Sequence, residues 1–354
     1  LIGGILIPIF GLMMIGDGSL LDGLSVLTTE NPDKFKSMGG PTDPVPFYTI
    51  FTGMMLVQLF YWGTNQQIIQ RALGAKDLKE GQKGLLLASF IKILGPLIVV
   101  LPGIIAYHLF QGNLESADSA YPMLVKKVLP GAWVGFFGAV LFGAILSSFN
   151  SVLNSSVTLF GIDVYKEHIN KDADEKTIVK YGKTFGIILA IASMFIAPLI
   201  ANAGGLFDYL QEINGIYSIP ILTIIVVGYL TKRVPAIAAK IGLVSGCLLY
   251  IISQFFMKDY FVNKALETAK ASGVTDQAAL TLVEVQAYPH FLDVMAILFI
   301  LNVVIMLIIG KIKPRDEPFV QQYTKQVDIT PWKYVKHAGI AICVIVIGVY
   351  VYFA

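Results

Sequence analysis

The chain has 354 residues, 55% hydrophobic and only 14% charged, with a mean hydropathy of +0.70. Soluble domains carry about 25% charged residues, so this composition belongs to a membrane protein, and a net charge of +2 without a basic, aromatic-interleaved patch gives nucleic acid no footing. Both cysteines, Cys247 and Cys343, fall in apolar stretches and are expected as buried thiols without a disulfide framework, and the four histidines are too scattered for metal-ligand spacing.

Nine apolar spans are predicted, at about 1–15 (cut short), 47–71, 84–110, 134–160, 181–203, 206–230, 236–257, 291–311 and 335–354. The sequence begins inside an apolar run without a signal peptide, and reads as a piece of something longer. Connections are short and no long polar tract intervenes. The expected architecture is therefore one all-α transmembrane domain over residues 1–354, without a soluble domain.

In the second span, Gln58, Tyr61, Trp62 and Asn65 recur at helical offsets of zero, three, four and seven, so one face carries hydrogen-bonding groups and two aromatic plates. Aromatic faces beside amides suit a sugar, whose C–H faces stack while its hydroxyls bond. The competing reading is an interfacial aromatic belt. Gly63 sits where this helix can unwind, and a broken helix at membrane depth is tolerated only against protein or a cavity.

Lys92 lies in the third span among Ile91, Ile93 and Leu94, a placement that costs about 2.5–3.5 kcal/mol on insertion scales. Such a group is a candidate ligand for substrate, a structural ion-pair partner for Glu212, or a lysine that snorkels to the headgroups. In the fourth span Ala144, Ser147, Ser148, Ser151 and Ser155 share one helical face that offers hydroxyl oxygens and no charge. Such oxygens replace part of the water shell of a small hard cation, although serines also serve close helix packing.

Further on, a Gly204-Gly205 turn precedes a helix in which Asp208 and Glu212 share a face and Gln211 points to a neighbouring one. Asp208 suits a helix-start cap, whereas Gln211 and Glu212 lie deeper. The connection 258–290 contains a helix-like polar stretch from Val262 to Ser272, expected as a solvated surface element. Alternate connections divide the lysines and arginines eighteen to seven, the larger set including Arg71, Lys166, Arg233 and Arg315. The positive-inside bias puts that set in the cytoplasm and the C-terminus outside.

The residues that carry these features resemble the sodium/solute symporters, and within them the sodium/glucose–galactose cotransporter branch. The motifs are Tyr-Trp-Gly-Thr-Asn-Gln-Gln-Ile-Ile-Gln-Arg-Ala-Leu-Gly-Ala-Lys (61–76), Leu-Pro-Gly-Ile (101–104), Ala-Tyr-Pro (120–122), Ser-Ser-Phe-Asn-Ser-Val-Leu-Asn-Ser (147–155), Asp-Val-Tyr (163–165) and Leu-Phe-Asp-Tyr-Leu-Gln (206–211). They cover most of residues 47–230 in the family's order, and the tail from 236 looks like an uncharacterised bacterial branch.

The resemblance implies an inverted five-helix-repeat transporter bundle of about fourteen spans, worked by alternating access, of which about nine are present here and the first five are missing. Residues 1–46 would then end the first repeat, 47–230 would form the second repeat with the substrate and sodium sites, and 231–354 would be flanking helices. It also implies the roles of particular residues. Ala144 (through its carbonyl), Ser147 and Ser148 match the sodium site, Tyr61 the inner gate with Trp62 beside it, and Lys92 and Gln211 the groups that bond sugar hydroxyls. Asn65 matches a polar residue near the gate, and Gln58 stands where the family has a sugar-binding asparagine.

The expected function is sodium-coupled symport of a sugar or polyol across a bacterial inner membrane, with sodium as the co-transported ion. Inositol, sialic acid, proline or a vitamin are the alternative solutes within the family. A membrane sensor on the same bundle is the alternative outside it. An intramembrane enzyme would need a catalytic pair at one depth and a channel a ring of pore charges, and the sequence offers neither.

Overall fold

The structure, a computed structural model, describes residues 2–41, 43, 45–111, 113–114, 116–200, 206–321 and 327–354, and the side chains of 206–208 are not described. The Gly204-Gly205 turn and the Asp208 side chain predicted from the sequence thus lie outside the described residues. The chain forms α1 (Ile2–Ile15), α2 (Leu20–Glu30), α3 (Gly53–Gly63), α4 (Gln66–Leu73), α5 (Leu78–Lys92), α6 (Gly95–Phe110), α7 (Ala120–Val128) and α8 (Gly131–Leu159). It continues through α9 (Glu175–Ile200), α10 (Leu206–Leu230), α11 (Ala236–Ile252), α12 (Lys258–Ala271), α13 (Gln277–Ala287), α14 (Phe291–Ile312) and α15 (Val335–Tyr352). No strand occurs among the described residues, in keeping with the all-α expectation.

Among the described residues, seven helical stretches are long and apolar enough to cross a membrane: Leu78–Phe110, Gly131–Ile169, Glu175–Ile200, Tyr209–Leu230, Ala236–Ala271, Gln277–Ile312 and Val335–Tyr352. Two of the predicted nine are not among these seven. The first, expected at 1–15 and cut short, is the 14-residue α1, which bends by 79° into α2 and makes an eighth span if the pair is counted as one. The span 47–71 is interrupted: a 3-10 turn over Phe47–Phe51 leads into α3, which stops at Gly63, and α4 starts afresh at Gln66. The break falls beside the glycine that the sequence marks as the place to unwind.

The span read as 84–110 also breaks, after Lys92. Pro96 at the start of α6 has no N–H to donate and no room for the carbonyl four residues before it, so it suits a first helical turn and ends the preceding helix. Hydropathy does not see this break, because Ile93 and Leu94 are as apolar as the helices around them.

The chain divides into two compact units. The first comprises Leu1–Ser37, Gln70–Leu206 and Val327–Ala354. Its core gathers Ile7, Leu27, Ile105, Leu124 and Phe137 from α1, α2, α6, α7 and α8. α8 runs on through a wider π-helical segment, Phe160–Ile169, and folds back as α9. The hairpin is closed by two stacked ring pairs, Phe160 on Phe185 (centroids 4.2 Å apart) and Tyr165 on Tyr181 (4.4 Å). Asp174 caps α9, accepting a bond from the Thr177 amide (3.0 Å), and the Thr177 hydroxyl and amide hold its carboxyl below the usual range. Asp77 caps α5 in the same way through the Glu80 amide (2.8 Å).

The second unit comprises Met38–Ile69 and Phe207–Gln326. Val57, Ile219, Tyr250, Leu292 and Met295 form its core. Gly53 lets α3 reach α14: a Cβ there would collide with the carbonyl of Leu292. Asn302 is buried between α11 and α14, where its Nδ2 donates to the Gly242 carbonyl (2.9 Å) and its Oδ1 accepts from Ser245 (3.3 Å). The predicted surface stretch in 258–290 appears as α12 and α13, packed on each other.

Burial corrects the cysteine reading. Cys247 is half-buried but Cys343 is exposed on α15, because a helix bounded by lipid keeps apolar residues on its outer face.

Candidate functional site

Lys92, Ala144, Ser147 and Ser148 fall in the first unit, and Gln58, Tyr61, Trp62, Asn65 and Gln211 in the second. In the second unit α3 presents a connected polar and aromatic face. Trp62 Nε1–H donates to Gln58 Oε1 at 3.0 Å, one helical turn back, and the Tyr61 and Trp62 rings meet edge to face with centroids 5.3 Å apart. Gln58 is exposed, and both rings are half-buried. Beneath them Phe60 is buried and packs edge-on against Tyr217 of α10.

Asn65 sits in the break and starts α4: its Oδ1 accepts from the Gln67 amide (2.9 Å), and its carbonyl accepts from Ile68 and Ile69 (3.0 Å each). Its side chain is thus a helix cap, a role that the sequence reading had not given it.

Gln211 is half-buried on α10, and the neighbouring Glu212 has its own partner: Lys258 Nζ lies 3.0 Å from its carboxylate. Lys258 is thus a partner of Glu212 that the sequence reading did not name. Tyr250, 1% exposed, donates to the Glu212 carbonyl (2.8 Å) and fixes the level of this turn. Glu212 and Lys258 border a cavity of about 670 Å3 in the second unit, with Tyr48, Asp259, Glu284 and Asp293 also on its walls. Tyr48 donates to Asp293 there, at 2.8 Å.

In the first unit Lys92 is the last residue of α5, is exposed, and lies inside the apolar stretch Leu78–Phe110. A cation at a helix C-terminus is favoured by the macrodipole, which offsets part of the cost expected from hydropathy.

The serine face of α8 lies along an open cleft of about 670 Å3 lined by Gln70, Arg71, Ser147, Asn150, Ser151 and Asn154, among others. Ser147 is in the cleft; Ala144 and Ser148 are exposed on α8 but do not line it. Ser151 is buried: its hydroxyl donates to the Ser147 carbonyl (2.8 Å) and accepts from Arg71 Nη2. Gln70 Nε2 donates to the Ser151 carbonyl (3.4 Å), and Asn154 Nδ2 to Gln70 Oε1 (3.3 Å). Gln70 and Arg71 stand about eighty positions before these partners; the sequence reading placed both in the 61–76 motif and counted Arg71 among the basic residues that set orientation, but gave neither a role at the serine face. Their place on the polar side of a short amphipathic helix, α4, was the available signal.

The cleft holds amide and hydroxyl oxygens and one guanidinium, and no group of three His, Cys, Asp or Glu that suits a metal occurs among the described residues. Such oxygens suit a weakly held, exchangeable alkali ion better than a tightly bound divalent metal.

The sequence profile of the sodium:solute symporter family matches residues 1–246. An uncharacterized symporter, YidK, of Escherichia coli (strain K12) is 47% identical over 350 residues, covering 99% of this chain and 56% of that protein. The sodium/glucose cotransporter of Vibrio parahaemolyticus is 34% identical over 277 residues, 72% of this chain and 51% of its own length. Human sodium/myo-inositol cotransporter 2 is 33% identical over 229 residues, 60% of this chain and 34% of its own length. The chain thus spans about half the length of the first two relatives. With the family's profile matched along most of the chain and a likeness to YidK along nearly all of this chain, this multi-pass membrane chain belongs to the sodium:solute symporter family.

Proposed function

We propose that the full protein is a sodium-coupled secondary active symporter that imports a sugar or sugar-like polyol by alternating access. The observation that carries the reading is the α3 face, where Gln58, Trp62 and Tyr61 form one connected amide–aromatic surface just before a helix break. An indole and a phenol ring present stacking faces, and the Gln58 amide offers the bonds that hydroxyls take up. Lys92 and Gln211 would bond further hydroxyls, Tyr61 would gate, and Ala144, Ser147 and Ser148 would hold sodium. Two of the relatives are named for glucose and myo-inositol, the class this surface suits.

In this reading residues 47–230 are the second repeat, with 1–46 closing the first and 231–354 flanking. The protein sits in the bacterial inner membrane with its basic connections in the cytoplasm and its C-terminus outside. The energetics suffice. One charge moved across 100 mV supplies about 2.3 kcal/mol, and a tenfold sodium gradient adds about 1.4 kcal/mol, enough to hold a solute gradient of several hundredfold.

The test is uptake and counterflow of labelled glucose, galactose and myo-inositol in proteoliposomes holding the full-length transporter, with sodium replaced by choline or lithium as controls. Sodium-driven accumulation of one of these supports the reading. Uptake that follows a proton gradient, or labelled proline or sialic acid taken up in their place, overturns it.

A further inference from the structure

We propose that Arg71 is a positioning residue that sets how tightly the serine face of α8 holds its cation, keeping that hold weak enough for release. This rests on the reading of that face as the sodium site. Arg71 lies on α4, and its guanidinium donates to the hydroxyl of Ser151, which in turn donates to the carbonyl of Ser147. A fixed positive charge therefore stands two hydrogen bonds from the backbone oxygen of a residue assigned to sodium, in the cleft that Ser147 itself lines.

Two consequences follow from the chemistry. Arginine carries its charge at every working pH and presents a rigid fork. It therefore holds the Ser151 hydroxyl in one orientation, with the proton spent on Ser147, so both the Ser151 lone pair on the Arg71 side and the Ser147 carbonyl are partly committed. Its charge also repels a cation in the cleft, whose walls include no carboxylate among the described residues to compensate. Both effects lower affinity. The grip on α8 is reinforced by Gln70, which bonds the Ser151 carbonyl and accepts from Asn154.

α4 is thus fastened to α8 by two successive side chains just after a helix break at Thr64 and Asn65. A transporter gains from such an arrangement. An ion held too firmly is released slowly, and a symporter's turnover is then limited by that step.

The experiment measures sodium activation of solute uptake by the full-length protein in proteoliposomes, alongside sodium-dependent thermal stabilisation of the purified protein. Arg71→Gln is expected to lower the half-saturating sodium concentration by about fivefold while slowing maximal uptake. Arg71→Lys, which keeps the charge, should stay within about twofold of the parent in sodium affinity. Arg71→His offers a switch: relative to the parent, its sodium affinity should tighten as the imidazole loses its proton between pH 5.5 and 7.5.

A purely structural tie would slow uptake or reduce the yield of inserted protein without tightening sodium. An unchanged or weakened sodium midpoint in Arg71→Gln therefore overturns the proposal. Should Arg71→Gln fail to reach the membrane, a pH-independent sodium midpoint in Arg71→His, with the parent as control, overturns it equally. Sodium-independent uptake by the parent would instead refute the sodium reading of the face, and the two failures are told apart by that one control.

Discussion

The bond between Trp62 and Gln58 gives the substrate reading its sharpest test. Trp62→Phe keeps a ring at the same place but removes the N–H that donates to Gln58 Oε1 at 3.0 Å. Gln58→Ala removes the acceptor. If the amide's task is to hold the indole at a fixed tilt against the substrate, each single change loses the same tether. The bond is intrahelical and Gln58 is exposed, so water competes for it and its net worth is about 0.5–1 kcal/mol. That corresponds to a two- to fivefold factor in substrate KM, read as a failure of additivity.

The assay is uptake kinetics at saturating sodium for the parent, both single variants and the double variant of the full-length transporter. The double variant is expected to show a KM two- to fivefold below the product of the two single effects. Gln58→Asn, one methylene shorter, breaks the same bond and should raise KM no further than Trp62→Phe does. If the double variant's KM equals the product of the singles, the two side chains meet the substrate independently, and the reasoning from their hydrogen bond fails.

Four further outcomes are expected. Ser148→Ala replaces a hydroxyl by a methyl group and should weaken sodium by roughly 5- to 150-fold, the span of about 1–3 kcal/mol; Ser155→Ala, further along α8, should change the sodium curve little, and equal effects of both would make the serines packing residues. Tyr61→Phe should retain transport whereas Tyr61→Ala loses solute discrimination, since the ring gates and the hydroxyl adds about 1 kcal/mol; equal damage would give the hydroxyl the role. Gly53→Ala drives a methyl group into the Leu292 carbonyl and should cost about 1–3 kcal/mol of stability, seen as a lower melting midpoint, whereas Gly63→Ala meets open space and should not. Asp174 has a carboxyl held below its ordinary range, so its cap on α9 is in force above that range and is lost as pH falls through the folded value; amide exchange in the first turn of α9 should rise with acid in the parent and show no such titration in Asp174→Asn.

Much of the helical frame was legible from periodicity, and so was the weak point at Gly63, because a glycine followed by Thr64 and Asn65 offers a helix no reason to continue and the next one a cap. The face of Gln58, Tyr61 and Trp62 follows directly from helical offsets, since all three lie within two turns of α3. Lys92 lies inside the apolar stretch Leu78–Phe110, as its neighbours predict, but the helix break that follows it was not legible, because hydropathy counts residues along an apolar run and does not register Pro96. Cys343 was misjudged for a related reason: in lipid an apolar residue gains nothing from turning inward, so an apolar span does not tell which side is buried. The contacts of Gln70 and Arg71 with α8 join positions far apart in the chain, and no local pattern announces such a pairing. The same holds for Glu212, whose partner Lys258 lies 46 positions on.

The stacked rings between α8 and α9 bear on how the protein is made. Phe160 on Phe185 and Tyr165 on Tyr181 join helical segments separated only by one short turn, and Gly182 and Gly186 let Val157 settle against α9. Closing so short a loop costs little entropy, and contacts of this kind form early. The helical hairpin from 131 to 200 can therefore assemble inside the bilayer as soon as it leaves the translocation machinery, while most of the second unit is still to be synthesised. The serine face thus rides on a hairpin whose two helices are tied to each other by these rings before most of the second unit exists.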